Sequence, residues 1–137
     1  NYNPLAEDKY RLLGRPYRMA GRVRLGRKLG RQLGFPTANL ALQRKVVPLW
    51  GIFAVRASGA GLVDHPAVAS LGTRPTVNGT DPLLEVHLFD YEGSLYGQYL
   101  DVDFVARLRD EQKFESLDAL VAQMHRDAAA ARAVLGI

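Results

Sequence analysis

The residues best suited to chemistry are concentrated in a glycine-rich segment, residues 26–39, which reads GRKLGRQLGFPTAN. Its glycines allow the backbone to fold closely around phosphate groups, and Arg27, Lys28 and Arg31 would present positive charge to them. The spacing matches neither a Walker A motif nor a Rossmann fingerprint. The composition therefore favours a nucleotide-binding loop of another kind, and a solvated basic surface is the alternative.

Thr37 and Asn39 stand two residues apart at the end of this segment. On an extended chain they would face the same side, because side chains alternate with period two. A hydroxyl and an amide carbonyl are neutral oxygen ligands that can hold a hard cation together with phosphate oxygens. We therefore interpret the pair as a candidate metal site, and a plain turn leading into a strand is the alternative.

Glu85 lies inside an otherwise apolar strand pattern, LLEVHLF. Strands are depleted in glutamate, and burying a carboxylate is costly, so the residue needs a reason to be there. It could accept a proton as a general base at a cleft, or it could simply face solvent on the outer side of the strand. His87 shares its face and could orient or shield the carboxylate.

Six strand patterns, bounded by Gly, Pro, Asn and Asp signals, would have to position these residues. They span residues 17–23, 38–42, 51–57, 63–71, 84–89 and 99–108. No helical pattern separates them, which favours antiparallel pairing into a barrel or a sandwich over a parallel α/β fold. In the fifth strand Leu84, Val86 and Leu88 share one face, and in the sixth Leu100, Val102, Phe104 and Ala106 do.

The C-terminal segment changes to helical periodicity. After Ser116, a predicted N-cap, apolar residues recur at helical spacing, and Gly136 follows the last turn. The members of this stripe are Leu117, Leu120, Val121, Met124, Ala128 and Ala131. Such a stripe is typical of a helix that packs on the barrel, and we expect it to cover one end.

Composition limits the class of protein. The chain has 137 residues, of which 47% are hydrophobic and 23% charged, as in ordinary globular domains of one core. It contains no cysteine, which excludes disulfides and cysteine-ligated metals, and it shows neither an apolar membrane span nor a signal sequence. An intracellular setting is the expectation.

Charge is distributed unevenly along the chain. Residues 1–45 contain 11 of the 18 Lys and Arg residues and only two acids, whereas residues 46–137 carry a net charge of −5. A basic segment of this kind could bind nucleic acid, an anionic membrane or nucleotide phosphates. Aromatic stacking platforms for nucleic acid are missing, since the glycine-rich segment contains only Phe35. A nucleic-acid-binding barrel is therefore the weaker alternative.

Taken in chain order, the motifs resemble the riboflavin kinase family over nearly the whole chain. They are GFPTANL at 34–40, GIFAV at 51–55, SLGTRPT at 70–76, LEVHL at 84–88, LYG at 95–97 and LRDEQKF at 108–114. The resemblance implies a six-stranded antiparallel Greek-key β-barrel with a C-terminal helix. It also implies transfer of the ATP γ-phosphoryl group to the ribityl 5′-hydroxyl of riboflavin, giving FMN and ADP, with Mg²⁺ as cofactor.

The resemblance also implies a role for each matching residue. Glu85 matches the catalytic carboxylate, and Thr37 and Asn39 match the residues that hold Mg²⁺ and the ATP phosphates. The remaining ATP-binding positions are Gly26, Arg31 and Tyr96, and the flavin-binding positions are Arg109, Gln112 and Phe114. A non-catalytic flavin-binding barrel is a further alternative, although it would leave Thr37, Asn39 and Glu85 without a role.

The segment LGRPY at 13–17 resembles the junction of bifunctional enzymes in which an FMN adenylyltransferase domain precedes the kinase. We therefore expect residues 1–16 to be a linker and residues 17–137 to be the kinase domain. The implied partners are ATP, riboflavin and that N-terminal domain, with no nucleic acid and no membrane. The expected location is the cytoplasm.

Overall fold

The computed structural model describes residues 11–24, 34–42, 50–77 and 79–137. Strands β1 to β6 and helix α1 account for most of these residues. Their bounds are β1 Arg11–Arg24, β2 Ala38–Leu42, β3 Gly51–Gly59, β4 Leu62–Thr76, β5 Gly79–Leu88, β6 Tyr99–Arg109 and α1 Leu117–Leu135.

The strands form a closed antiparallel barrel in the order β1, β2, β5, β4, β3, β6, with β6 pairing back to β1. Strands β3, β4 and β5 follow one another as neighbours, and β6 returns to lie beside β3, which is the Greek-key arrangement. Closure pairs the first strand with the last, so each of the six strands has a neighbour on both sides along part of its length. The predicted fold class is confirmed.

Several strands extend beyond their predicted bounds, β1 most of all. β1 begins at Arg11, before the predicted start at Tyr17, and its pairing with β6 changes register between Leu12 and Tyr17. The strand therefore continues past Pro16, which reads as a break in the sequence, by means of an irregularity of the bulge type. The proposed boundary between linker and domain at residue 16 stays a prediction.

The barrel interior is filled by alternate residues of the strands. Leu84, Val86 and Leu88 of β5 point inward, and Leu100, Val102 and Phe104 of β6 meet them there. Phe53 and Phe104 pack edge to face with ring centroids 5.0 Å apart. The predicted inward face is confirmed for β5 and for these three residues of β6. Ala106, the fourth residue predicted for the β6 face, pairs with Ala54 and is not part of the interior cluster, because the register between β3 and β6 shifts between Ala54 and Val55.

Helix α1 has the predicted caps, but it packs at a different place on the barrel. The Ser116 hydroxyl accepts a hydrogen bond from the Ala119 amide at 3.1 Å, and Gly136 takes the left-handed conformation at φ 77°. The helix packs against the outer wall of β3, β4 and β6, not over a barrel end as expected. Ala54 lies under Ala131 and Leu135 because it alternates with the inward-facing Phe53.

The apolar stripe of α1 differs from the prediction at its first turn, where Leu117 is 56% exposed. Among the described residues, no helix has the length and apolarity needed to cross a membrane.

Candidate functional site

A row of residues crosses the outer wall of the barrel at one level. Strand register sets Asn39 of β2 opposite Glu85 of β5, and Glu85 opposite Ser70 of β4. The row continues through Ile52 of β3 to Arg109 at the end of β6. Directly paired residues on antiparallel strands lie about 4.5–5.5 Å apart between Cα atoms. The register therefore makes Asn39 and Ser70 the cross-strand neighbours of Glu85.

A cavity of about 540 Å³ lies over this row. Its floor is the outer wall, one side is the segment that follows β6, and another is helix α1. The segment before β2 also contributes to the lining. The residues that line the cavity include Phe35, Thr37, Ile52, Val68, Ser70, Glu85, His87, Arg109, Glu111, Gln112, Lys113, Phe114, Leu120, Met124 and Asp127. Mixed aromatic, aliphatic and polar walls of this volume suit a small organic ligand, for which cavities of roughly 300–1,000 Å³ are usual.

Asn39 contributes an unusual polar atom beside Glu85. The residue is only 7% exposed, and its Oδ1 makes no hydrogen bond with the described residues. Buried carbonyl oxygens are almost always satisfied, so this one points to a partner other than the described residues. A cation or a donor group of a ligand would satisfy it.

The short segment that carries Thr37 is held by two ring contacts and one hydrogen bond. His87 Nδ1 lies 2.8 Å from the Pro36 carbonyl oxygen, and since a carbonyl can only accept, Nδ1 carries the proton. Phe35 packs edge-on against His87 and against His125 of α1, with centroid distances of 5.3 and 4.9 Å. Thr37 is thereby positioned at the cavity by both the sheet and the helix.

Arg109 closes the other end of the row. Its Nε and Nη2 donate to the two carboxylate oxygens of Asp127 at 2.8 and 2.7 Å, and its Nη1 donates to the Asp110 carbonyl oxygen at 2.9 Å. Gly51 makes room for this strand end, because a Cβ there would lie 2.6 Å from the Arg109 carbonyl oxygen. The guanidinium is thus engaged by the helix and by the backbone that follows β6.

The predicted site residues fall into three groups. Thr37, Glu85, Arg109, Gln112 and Phe114 all line the same cavity, although they come from three separate parts of the chain. Asn39 lies beside them in the same row.

Three predicted positions remain, and the structure describes one of them. Tyr96 is 58% exposed and does not line the cavity, and Gly26 and Arg31 lie outside the described residues. Of the predicted nucleotide-binding positions that the structure describes, Thr37 and Asn39 therefore lie at the cavity or beside it, and Tyr96 does not.

Asp127 is the principal residue that sequence reasoning missed. It is 7% exposed and takes a place on the buried face of α1 between Met124 and Ala131. A carboxylate at helical spacing within an apolar stripe was the available signal, since a buried charge requires a partner. Its partner, Arg109, was itself predicted to bind the ligand directly.

Comparisons with known proteins agree with the fold and identify a family. The family model for riboflavin kinase (flavokinase) matches residues 13–135. The bifunctional riboflavin kinase/FMN adenylyltransferase of Haemophilus influenzae is 48% identical over 129 residues, covering 94% of this chain and 41% of that protein. The same-named protein of Escherichia coli K12 is 48% identical over 126 residues. The chain thus spans about two fifths of the length of these relatives.

Solved structures share the barrel. Riboflavin kinase from Trypanosoma brucei superposes with a TM-score of 0.69 at 24% identity, covering 92% of this chain and 82% of that one, which supports the fold alone. A crystal structure described as a macrolide-efflux protein from Streptococcus pneumoniae gives a TM-score of 0.78 at 35% identity. It matches over 39% of its own length, so its described activity is not carried over. Because the family model matches nearly the whole of this chain, the chain belongs to the riboflavin kinase family.

Proposed function

We propose that this domain transfers the γ-phosphoryl group of ATP to the ribityl 5′-hydroxyl of riboflavin, giving FMN and ADP. The observation that carries the proposal is the single cavity that joins Thr37, Glu85 and the segment from Arg109 to Phe114 in a chain of this family. A binding barrel without catalysis would need neither the carboxylate nor the hydroxyl on that wall.

Glu85 is the proposed general base. Its half-buried carboxylate lies on the floor of the cavity, where the attacking alcohol would lie within hydrogen-bond reach. As the bond from the 5′-oxygen to phosphorus forms, the hydroxyl proton passes to the Glu85 carboxylate. The bond from phosphorus to the bridging oxygen breaks, and its electron pair leaves with ADP.

Thr37 and Asn39 are the proposed ligands of Mg²⁺ and the ATP phosphates. The donor set fits a hard cation, because it offers a hydroxyl and the amide Oδ1 of Asn39, which makes no hydrogen bond with the described part of the chain. When bound, the cation would neutralise charge on the transferring phosphoryl group. Two observations support the assignment: the register between β2 and β5 sets Asn39 opposite Glu85, and Thr37 lines the same cavity as Glu85.

The flavin would occupy the broader part of the cavity. Ile52, Val68 and Met124 offer an apolar surface for a planar ring, and Phe114 offers an aromatic one. Gln112 could hydrogen-bond to the polar edge of the ring. Gly26, Arg31 and Tyr96 remain proposed contacts of the nucleotide.

The chain's place in a longer protein is also a proposal. The curated relatives combine riboflavin kinase with FMN adenylyltransferase in their names, and this chain corresponds to about two fifths of their length. We infer that an N-terminal adenylyltransferase domain accompanies it and consumes the FMN that is made here.

The decisive test is incubation of the purified chain with riboflavin, ATP and Mg²⁺, followed by chromatographic separation of riboflavin, FMN and FAD. We expect FMN in a Mg²⁺-dependent yield and no FAD. Titration of ATP with Mg²⁺ in the absence of riboflavin is the companion measurement, because a flavin-binding module without kinase activity should not bind the nucleotide. Absence of FMN from a folded chain would refute the proposal.

A further inference from the structure

Asp127 is a buried carboxylate on the cavity wall to which neither the family match nor the proposed chemistry gives a role. It receives two hydrogen bonds from Arg109 and a third from Gln123 Nε2 at 2.8 Å. Together these donors satisfy both carboxylate oxygens in a bidentate geometry. The arrangement is therefore a completed ion pair between the last residue of β6 and the middle of α1.

Stability alone gives a poor reason for such a pair. Burying two charges costs desolvation energy that their attraction often only offsets, and apolar residues of similar size commonly serve as well. What a bidentate pair does supply is a fixed orientation of the planar guanidinium. Here that orientation also directs Nη1 to the carbonyl oxygen of Asp110, the first residue after β6.

The segment that Arg109 orients is the one that faces the cavity. It runs from Asp110 to Phe114, and the Phe114 ring centroid lies 5.8 Å from the Arg109 guanidinium carbon. Glu111 packs against Gly72, where a Cβ would overlap its carboxylate. The segment is thus held at three points: by the Asp110 carbonyl oxygen, by Glu111 and by Phe114.

We propose that Asp127 is a positioning residue for the flavin. Acting through Arg109, it holds the segment from Asp110 to Phe114 against the cavity before any ligand arrives, so that less ordering remains to be done on binding. This inference rests on the proposed function, since it takes the cavity to be the riboflavin site. It assigns to Arg109 the orientation of the segment, in place of a direct contact with the ring edge.

A matched control exists on another part of the barrel wall. Arg18 of β1 donates Nε and Nη2 to the two oxygens of Asp103 of β6 at 2.7 and 3.0 Å. That pair has the same bidentate geometry, but it is more exposed and neither residue lines the cavity. Asp103→Asn therefore removes an equivalent charge without touching the proposed site.

The kinetic test compares Asp127→Asn with Asp103→Asn at a temperature where both variants are folded. For Asp127→Asn we expect the riboflavin KM to rise about 10- to 100-fold, because small misplacements of binding groups have effects of that order. The ATP KM and kcat should change less than about threefold. For Asp103→Asn all three parameters should stay within about twofold of the parent chain.

A second readout needs no turnover. In the ligand-free chain, backbone amides of residues 110–114 should exchange with deuterium faster in Asp127→Asn than in the parent, and at the parent rate in Asp103→Asn. In an Arg109→Gln background, Asp127→Asn should add less than about twofold to the riboflavin KM, because the residue acts through Arg109.

The possible results separate this inference from the proposed function. A parent chain that makes no FMN refutes the function. If the parent is active, a riboflavin KM within twofold of the parent value in Asp127→Asn overturns the inference, and so does an equal rise in the ATP KM. If Asp127→Asn does not fold, Asp127→Glu replaces it, since it keeps the charge while displacing the guanidinium. The same criteria then apply to Asp127→Glu.

Discussion

The two faces of β5 differ in burial and in the residues that they present. Leu84 and Val86 are fully buried among the inward-facing residues, whereas Glu85 and His87, one step along the same strand, line the cavity outside. The inner face serves packing, and the outer face carries the proposed catalytic carboxylate. Because alternation has period two, a shift of register by one residue would exchange the two faces and destroy both.

The outer wall is itself divided. Where α1 packs, the wall is apolar and the contacts involve Ala54, Phe89 and Leu135. Beside that contact the helix stands away from the sheet, and Thr37, Ser70 and Glu85 remain accessible to a ligand. The helix therefore shields the outer wall from solvent, as closure of the barrel shields the interior, but it covers only part of that wall. The cavity is the part that it leaves uncovered.

The largest expected effect is on the outer face. Glu85→Gln keeps size and hydrogen bonding but removes the basic charge, so kcat should fall by roughly 10²- to 10⁴-fold. The riboflavin KM should change little, because the lost interaction belongs to the transition state. Steady-state kinetics with riboflavin as the varied substrate measures both. A variant that kept more than about a tenth of kcat would reduce Glu85 to an orienting role.

Leu84→Ala tests the inner face one residue away. Loss of a fully buried leucine should lower the free energy of unfolding by about 2–5 kcal/mol through lost transfer energy and a cavity. Urea unfolding followed by circular dichroism measures it, with Leu100→Ala of β6 as the control at a similarly buried position. At a temperature where the variant is folded, kcat should stay within about threefold of the parent. A selective loss of kcat would contradict the division between the two faces.

Thr37→Ala and Asn39→Ala should affect the nucleotide before the flavin. Each removes one oxygen ligand, and loss of a bond to a charged partner is worth roughly 1.5–3 kcal/mol, or about 10- to 100-fold. We expect that change in the Mg²⁺ and ATP dependence of the rate. The riboflavin KM should stay within about threefold. An unchanged ATP dependence in Thr37→Ala would show that the metal assignment is wrong.

Phe114→Ala should have a smaller effect than Thr37→Ala, and it should change the riboflavin KM in place of the ATP dependence. An aromatic contact with a ring contributes about 0.5–1.5 kcal/mol beyond burial, so the riboflavin KM should rise about 3- to 10-fold. The ATP KM should remain at its original value. Fluorescence titration of riboflavin provides an independent measure of binding. A rise in the ATP KM alone would assign this segment to the nucleotide.

The smallest effect is expected on the part of the wall distant from both the core and the cavity. The hydrogen bond from Arg18 to Asp103 raises the pKa of the guanidinium above its usual value, and the nearby acidic charges act in the same direction. A raised pKa stabilises the fold at every pH below that range, so no pH dependence arises near neutrality. The pair is exposed, and Asp103→Asn should leave the melting temperature within error. A clear loss would give this surface a structural role.

Much of the fold could be predicted from the sequence. Alternation in 84–89 and 99–108 predicted which residues face inward, because a strand has only two faces. Ser116 and Gly136 predicted the ends of α1, because unsatisfied backbone groups at helix ends select such residues. The strand limits were less well predicted, since Pro16 and its neighbours read as a break until β6 supplied a pairing partner.

The sequence by itself determined the types of residue available for catalysis and the period of each element. The tertiary structure decided which of them meet. Asn39 and Glu85 lie on strands that pair because the barrel follows a Greek-key order, and such pairing depends on contacts distant along the chain. Likewise Arg109 and Asp127 each read alone as a surface charge or a ligand contact. Their role as partners follows from where the outer wall seats helix α1, which no local pattern specifies.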